Sequence, residues 1–259
     1  MNEFTTFLQQ NPWILALLCI AGGYLIGSLS FARIIYYLAT GKKKIDGFAE
    51  PIPHSDLKFE SDLVSATLVS KKLGAGYGCL TSIADILKVA IPVLLVKWWL
   101  PENPWFLLVA FFGVLGHIYP LYHNFTGGRG ESPILGALLV INWVGLIVSY
   151  LVSSLLGFLS GSILVVRYGG YLIMIFWLAY YFRDARYVIF MVLLNFLFWF
   201  SMRKDFAQFQ ALKKEKGMEF SEEDVSGFIL MGRHTGRFLD RYSPYAWWKR
   251  RKERKGSEE

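Results

Sequence analysis

The sequence predicts an all-α membrane protein, a polytopic bundle of transmembrane helices. Hydrophobic residues make up 54% of its 259 residues. They are grouped into runs of roughly 20 residues with few charges, which is the length a helix needs to cross a bilayer core of roughly 30 Å. Aromatic residues make up 17%, and many tryptophan and tyrosine residues fall at the ends of the runs, where amphipathic rings prefer the headgroup layer.

Six apolar runs follow one another along the chain, and we interpret each as a span. They cover residues 12–39, 79–99, 104–122, 133–154, 161–182 and 187–201. The first run is too long for the core of a signal peptide and has no basic segment before it, so we expect it to be the first span. The two cysteines, Cys19 and Cys79, predict neither a disulfide framework nor metal ligands.

The distribution of Lys and Arg predicts the orientation. Residues 1–11 contain neither, whereas Lys42, Lys43 and Lys44 follow the first run, which places the N-terminus outside and this loop in the cytoplasm. The second and third runs are joined by residues 100–103 alone, so the loop at 123–132 should also be cytoplasmic. The basic C-terminal region should be inside as well, and this requires an odd number of spans. We therefore expect about seven membrane segments, with the additional one either at 63–73 or produced by a break within 151–182.

The last part of the chain differs in composition from the rest. Residues 202–259 contain 14 Lys and Arg against 10 Asp and Glu, so we predict a transmembrane domain at 1–202 and a charged cytoplasmic tail at 203–259. The tail ends in Trp247 and Trp248 beside a basic cluster, which suits an anionic membrane surface. We expect membrane lipid and no nucleic acid as a partner. A docked tail and a disordered, solubilising one both remain open.

Polar residues inside the runs are candidates for function, because a charge at the bilayer centre costs about 3 kcal/mol or more. Asp85 and Lys88 are three residues apart and share a helix face. They form either a structural ion pair or part of a polar cavity. Ser28 lies within the first run, where a packing role competes with a role as a ligand.

His117 ends the third run and is followed closely by Pro120 and by the turn Gly127-Gly128-Arg129-Gly130. Backbone N–H groups of a glycine turn and a nearby cation can bind a phosphate, and an imidazole can orient or deprotonate a hydroxyl. The alternative is a helix end whose histidine bonds to a carbonyl and whose glycines only form the turn.

The order of these motifs resembles the PlsY family of bacterial membrane glycerol-3-phosphate acyltransferases. The matching segments are G-S-x-x-F at 27–31, Ala-Thr at 66–67, D-x-x-K at 85–88, G-H-x-x-P at 116–120 and G-G-R-G at 127–130. The resemblance implies an acyltransferase of phospholipid biosynthesis in the bacterial plasma membrane, which moves a fatty acyl group from acyl phosphate to glycerol 3-phosphate. The products are lysophosphatidic acid and phosphate, and we expect neither a cofactor nor a metal.

Carried across one residue at a time, the resemblance implies roles for ten residues. His117 and Ser28 would be catalytic, and Asp85 would support them. The phosphate-binding residues would be Lys88, Ser61, Thr67, Gly127, Gly128, Arg129 and Gly130.

The chain also departs from the family pattern. The loop motif G-S-G-N-x-G-A-T-N has lost its glycines and asparagines, Ser30 stands for the proline of G-S-I-P-F, and Thr126 stands for the first lysine of F-K-G-G-K-G. These losses keep open an inactive or repurposed paralogue that serves as a membrane scaffold. A transporter would use the same intramembrane polar residues, but the two halves of the chain do not match each other as repeats.

Overall fold

A computed structural model describes residues 10–51, 58–216, 220–228 and 233–256. The described chain is mainly helical, and one small two-stranded sheet lies in the loop after the second helix. The helices are α1 Pro12–Gly27, α2 Phe31–Thr40, α3 Ala66–Leu73, α4 Ala75–Trp99, α5 Trp105–Ile118, α6 Glu131–Ser160, α7 Ile163–Phe182, α8 Ala185–Lys216, α9 Glu222–Phe228, α10 Arg233–Tyr242 and α11 Pro244–Gly256. The strands are β1 Phe48–Pro51 and β2 Lys58–Ser61, and a short 3-10 helix covers Leu121–His123.

The six apolar runs are confirmed as helical segments. Six segments of the described chain are long and apolar enough to cross a membrane: Pro12–Thr40, Ala75–Trp99, Trp105–His123, Glu131–Ser160, Ile163–Phe182 and Ala185–Leu212. The chain is therefore a polytopic helical membrane protein. Its orientation stays a prediction.

The seventh segment also stays a prediction, and of its two expected positions the first is too short. Helix α3 has 8 residues, which rise by about 12 Å, less than half of the bilayer core. A different break divides α6 at Asn142, whose backbone is extended (φ −158°, ψ 88°).

The first apolar run is also not a single helix. Helix α1 ends at Gly27 and α2 begins at Phe31, with Ser30 in an extended conformation between them. Glycine and serine favour such an interruption. Glycine loses the most backbone entropy when it becomes helical, and the serine hydroxyl competes for backbone hydrogen bonds. The break places the backbone of Ser28, Leu29 and Ser30 at the edge of the helix, where it can contact other elements.

The chain folds into two compact units. The first comprises Met1–Phe48, Asp62–Trp143 and Asp184–Met202, and the second comprises Ala49–Ser61, Val144–Arg183 and Arg203–Glu259. One boundary falls between Met202 and Arg203, where the sequence predicts the start of the tail. The predicted two-domain division itself stays a prediction.

Glycines bring α1 and α5 into close contact within the first unit. A Cβ atom added to Gly27 would overlap the backbone of Gly113, and one added to Gly23 would lie 2.7 Å from the carbonyl oxygen of Val109. Small residues allow this approach and are typical of helix crossings in membranes. Gly116 lies about one helical turn after Gly113 and packs against the backbone at the end of α1. The crossing therefore fixes the end of α1 beside the end of α5.

Part of the described tail packs within the second unit on the turn between α6 and α7. That turn contains Gly161 in the left-handed region (φ +67°). The Glu222 carboxylate accepts a hydrogen bond of 2.7 Å from the backbone N–H of Ile163, one of the N–H groups that a helix start leaves without an intrahelical acceptor. The rings of Phe158 and Phe238 lie 6.0 Å apart. These contacts lie within the protein, and docking of the tail on the membrane surface stays a prediction.

Candidate functional site

Asp85, Lys88 and His117 form one buried polar cluster in the first unit. The Nζ of Lys88 lies 2.8 Å from Oδ1 of Asp85 and 2.9 Å from Nδ1 of His117. The side chains of Asp85 and Lys88 are each 2% exposed. The expectation that Asp85 and Lys88 share a helix face is confirmed, and the structure adds His117 from α5 to the pair.

Lys88 and Asp85 both contact the same nitrogen of His117. A protonated lysine has three N–H donors and no acceptor, so a charged Lys88 donates to His117 Nδ1, and a neutral imidazole then carries its proton on Nε2. Asp85 Oδ1 lies 3.5 Å from the same Nδ1 and would accept from the opposite tautomer. Lys88 also donates to the backbone oxygen of Leu29 at 2.6 Å, which is available because the helix breaks after Gly27.

The glycine-rich turn packs directly on His117. The N–H of Gly128 donates to the carbonyl oxygen of His117 at 3.2 Å, and a Cβ atom on Gly128 would overlap Nε2 of the His117 ring. A Cβ atom on Gly127 would meet the His117 carbonyl. Gly130 has φ +91°, a conformation that glycine adopts without strain. The turn thus needs glycine for close packing on the histidine, and its predicted phosphate contacts stay a prediction.

Arg129 lies within the same turn and is half-buried. Its backbone oxygen accepts a hydrogen bond of 3.1 Å from the hydroxyl of Ser201, so α8 helps to hold the turn in place. The sequence alone did not indicate this contact, because 72 residues separate the two partners. The predicted role of the Arg129 side chain in phosphate binding stays a prediction.

Ser28 connects α1 to the segment that follows Pro120. Its hydroxyl donates to the carbonyl oxygen of Tyr24 at 2.8 Å and accepts from the N–H of Leu121 at 3.2 Å. The residue is fully buried. Both hydrogen-bonding functions of this hydroxyl are used within the protein, so the packing alternative explains its contacts and its catalytic role stays a prediction.

Two predicted phosphate ligands come from the loop motif that has lost its glycines and asparagines, and they belong to different units. Ser61 is buried at the end of β2 in the second unit. Thr67 is half-buried in the first turn of α3, which begins after Ser65 and packs on α4 in the first unit. The Ser65 hydroxyl accepts from the N–H of Leu68. The hydrogen bonds of the Lys88 cluster include neither Ser61 nor Thr67, and the phosphate contacts of these two residues stay predictions.

An apolar cavity of about 240 Å³ lies between α1, α4 and α5. Cys19, Gly22 and Ile26 line it from α1, and Pro92 and Val96 line it from α4. Ile26 is two residues from Ser28, and Pro92 is one helical turn from Lys88. The cavity therefore lies in the apolar part of the first unit, and none of Asp85, Lys88 and His117 lines it.

Arg33 is a charged residue within the first apolar run. Its guanidinium donates to Ser30 Oγ at 3.2 Å and to the carbonyl oxygen of Thr126 at 2.8 Å. In the sequence, a charge inside an apolar run was the feature that could have marked Arg33 as a candidate functional residue. In the described ranges, no group of three or more His, Cys, Asp or Glu residues could hold a metal ion, and the expectation that no metal takes part stays a prediction.

Comparisons with known proteins agree on one family. The family model described as glycerol-3-phosphate acyltransferase matches residues 17–211. The glycerol-3-phosphate acyltransferase of Thioalkalivibrio sulfidiphilus is 35% identical over 134 residues, which are 51% of this chain and 60% of the relative. The enzyme of the same name from Pseudomonas aeruginosa PAO1 is 34% identical over 131 residues, 49% of this chain and 59% of the relative. The matches thus span about 60% of the length of these curated relatives.

Two crystal structures of PlsY (YgiH), an integral membrane glycerol 3-phosphate acyltransferase, have a similar fold. The lysophosphatidic acid form has a TM-score of 0.60 at 22% identity and covers 76% of this chain and 92% of its own. The glycerol 3-phosphate form has a TM-score of 0.61 at 22% identity and covers 81% of this chain and 98% of its own. This likeness shows a shared fold.

Proposed function

The chain belongs to the glycerol-3-phosphate acyltransferase family, and we propose that it transfers a fatty acyl group from acyl phosphate to the sn-1 hydroxyl of glycerol 3-phosphate. The hydroxyl oxygen bonds to the acyl carbon, and the bond from that carbon to the phosphate oxygen breaks. The hydroxyl proton goes to the departing phosphate, so the products are lysophosphatidic acid and hydrogen phosphate. Acyl phosphate is already activated, so this reaction requires no nucleotide.

The observation that carries the proposal is the buried Lys88–His117 contact beside the glycine-rich turn. Buried ionisable residues within a membrane segment mark functional sites. Lys88 supplies a positive charge, and Asp85 holds it through the ion pair of 2.8 Å. A positive charge fixed in a place of low dielectric stabilises the negative charge that develops on the departing phosphate.

His117 takes the role of orienting the acceptor hydroxyl. With Lys88 protonated and Nδ1 accepting from it, Nε2–H is the donor that the ring keeps for a substrate. Removal of the hydroxyl proton by His117 would require a free lone pair, which means that the Lys88 contact to Nδ1 must open first. The geometry therefore supports orientation more directly than general base catalysis.

The apolar cavity beside the cluster supports the lipid half of the substrate. An acyl chain must leave water while its activated carbon stays at the polar cluster. The cavity between α1, α4 and α5 has an apolar lining, which suits a hydrocarbon chain, and its lining residue Pro92 is one helical turn from Lys88. Chain-length preference would follow from how far along this cavity the chain can extend.

The direct test uses the purified full chain in lipid nanodiscs with palmitoyl phosphate and glycerol 3-phosphate. We expect lysophosphatidic acid and phosphate in a one-to-one ratio. His117→Ala should lower kcat by about a hundredfold or more while the folded yield is kept. Parallel loss of yield and activity, with unchanged turnover per folded molecule, would return His117 to a structural role.

Two other outcomes would change the assignment. A folded wild-type protein that forms no lysophosphatidic acid would support the inactive-paralogue alternative. Product formation from acyl coenzyme A and none from acyl phosphate would retain the family but replace the donor.

A further inference from the structure

Arg33 lies in the first turn of α2 and links two segments that both border the polar cluster. Its Nη1 donates to the hydroxyl of Ser30 at 3.2 Å, and its Nη2 donates to the carbonyl oxygen of Thr126 at 2.8 Å. Thr126 is exposed and directly precedes Gly127. The adjoining Leu29 carbonyl is the one that accepts from Lys88. The guanidinium is therefore at the entrance to the glycine-rich turn.

The two residues that Arg33 contacts are both departures from the PlsY pattern. Ser30 stands for a proline, which has no side-chain acceptor, and Thr126 stands for a lysine. Ser30 now accepts a hydrogen bond from the guanidinium, and the Thr126 backbone accepts another. The contact to Thr126 uses the backbone oxygen, which a lysine would also offer, but the guanidinium brings a positive charge to the position where the turn has lost one.

Lys88 already has three close partners within the protein. Its Nζ lies 2.8 Å from Asp85 Oδ1, 2.9 Å from His117 Nδ1 and 2.6 Å from the carbonyl oxygen of Leu29, so a second cation near the turn can serve the phosphate. A guanidinium has five N–H groups in a planar fork that fits phosphate oxygens. In the part of the chain that the structure describes, Arg33 uses two of the five in the hydrogen bonds to Ser30 and Thr126.

We propose that Arg33 binds the substrate phosphate at the glycine-rich turn and replaces the positive charge that a lysine at position 126 would provide. The ligand group is a phosphate monoester dianion, from glycerol 3-phosphate or from acyl phosphate. The inference rests on the proposed function for its substrates.

The test compares the full chain in nanodiscs with Arg33→Ala, Arg33→Lys and the double variant Arg33→Ala/Thr126→Lys. Binding of radiolabelled glycerol 3-phosphate by equilibrium dialysis gives Kd without turnover, and steady-state assays give KM for palmitoyl phosphate. Arg33→Ala should weaken one of these two constants by about tenfold or more, because a charge-assisted contact is lost. A change in Kd would identify the phosphate of glycerol 3-phosphate as the ligand of Arg33, and a change in KM would identify the phosphate of palmitoyl phosphate. Arg33→Lys should have a smaller effect.

The double variant separates binding from structure, since the Thr126→Lys change restores the charge but not the bridge from Ser30 to Thr126. Recovery to within about threefold of the wild type supports the proposal. Arg186→Ala is the matched control, because Arg186 is exposed and paired with Asp184, and it should leave both constants unchanged.

Two results would overturn the proposal that Arg33 binds the phosphate, and a third would overturn only the proposed acyltransferase activity. Unchanged Kd and KM in Arg33→Ala overturn the proposal, and so does a loss that the double variant does not recover while the melting temperature falls in both. A wild type that binds glycerol 3-phosphate but produces no lysophosphatidic acid removes the proposed function and leaves the Arg33 measurement valid.

Discussion

Replacing Gly128 with alanine should disable the site by moving the His117 ring. The added Cβ atom would overlap Nε2 and lie 3.1 Å from Cε1 and 3.3 Å from Cδ2 of His117. Optimal contacts between carbon atoms are about 3.5 to 4.0 Å. The ring must therefore retreat by roughly 1 Å, or the turn must shift away and stretch the bond from Gly128 N–H to the His117 carbonyl.

The size of the effect follows from what holds the ring. Retreat lengthens or redirects the 2.9 Å contact between His117 Nδ1 and Lys88 Nζ, a charge-assisted hydrogen bond worth about 1.5 to 3 kcal/mol. Overpacking costs a similar amount, about 1 to 3 kcal/mol. A misplacement of about 1 Å can lower a rate by about a hundredfold, so we expect that loss in kcat per folded molecule, with a moderate loss of stability.

The assay measures lysophosphatidic acid formation per folded molecule, with folded protein quantified by size-exclusion chromatography and thermal unfolding. Gly76→Ala is the matched control, because Gly76 is also a glycine of the first unit and a Cβ atom there would meet no heavy atom within 4 Å. Full turnover in Gly128→Ala would refute the reasoning, since it would show that the His117 position does not limit the reaction.

Three further predictions concern the turn, the tail and the topology. Arg129→Ala should raise KM for a phosphate-bearing substrate by about tenfold or more and Arg129→Lys by less, and full activity of both at subsaturating substrate would make the side chain structural. Burial raises the pKa of the Glu222 carboxyl; its contribution to stability is therefore largest at low pH and falls as the pH rises through the raised pKa. The melting temperature of Glu222→Gln relative to wild type should thus increase from pH 5 to pH 8, and a constant difference would contradict this. A thiol reagent should label a cysteine at Thr126 from the cytoplasmic side and one at Glu102 from outside, in a background without Cys79, and the reverse pattern would invalidate the predicted orientation.

The sequence predicted those features that depend on local composition or on helical spacing. The six apolar runs and the shared face of Asp85 and Lys88 belong to this group, because run length and a three-residue separation are enough to predict them. Polar or small residues inside apolar runs indicated that the helices could be interrupted at Ser28–Ser30 and at Asn142. Whether such residues interrupt a helix depends on neighbouring helices that can hydrogen-bond to the freed backbone groups.

Contacts between distant segments could not be predicted in the same way. The Lys88–His117 contact joins residues 29 apart, and the Arg33–Thr126 contact joins residues 93 apart. Both depend on how α1, α2, α4 and α5 pack, and a single sequence carries no direct record of that packing. The strands β1 and β2 were also not predicted, because each has only 4 residues, too few for a recognisable pattern.

The close crossing of α1 and α5 has a consequence for biogenesis. Gly27 is synthesised 86 residues before Gly113, its partner in the crossing. At about 5 to 20 residues per second, α1 waits roughly 4 to 17 s in or near the translocon before α5 exists. During that interval its glycine face is open to lipid, to insertion factors and to α1 of a second nascent chain, because small-residue faces associate with one another. The rate of translation between residues 27 and 113 therefore influences whether a chain completes its own crossing or pairs with another copy.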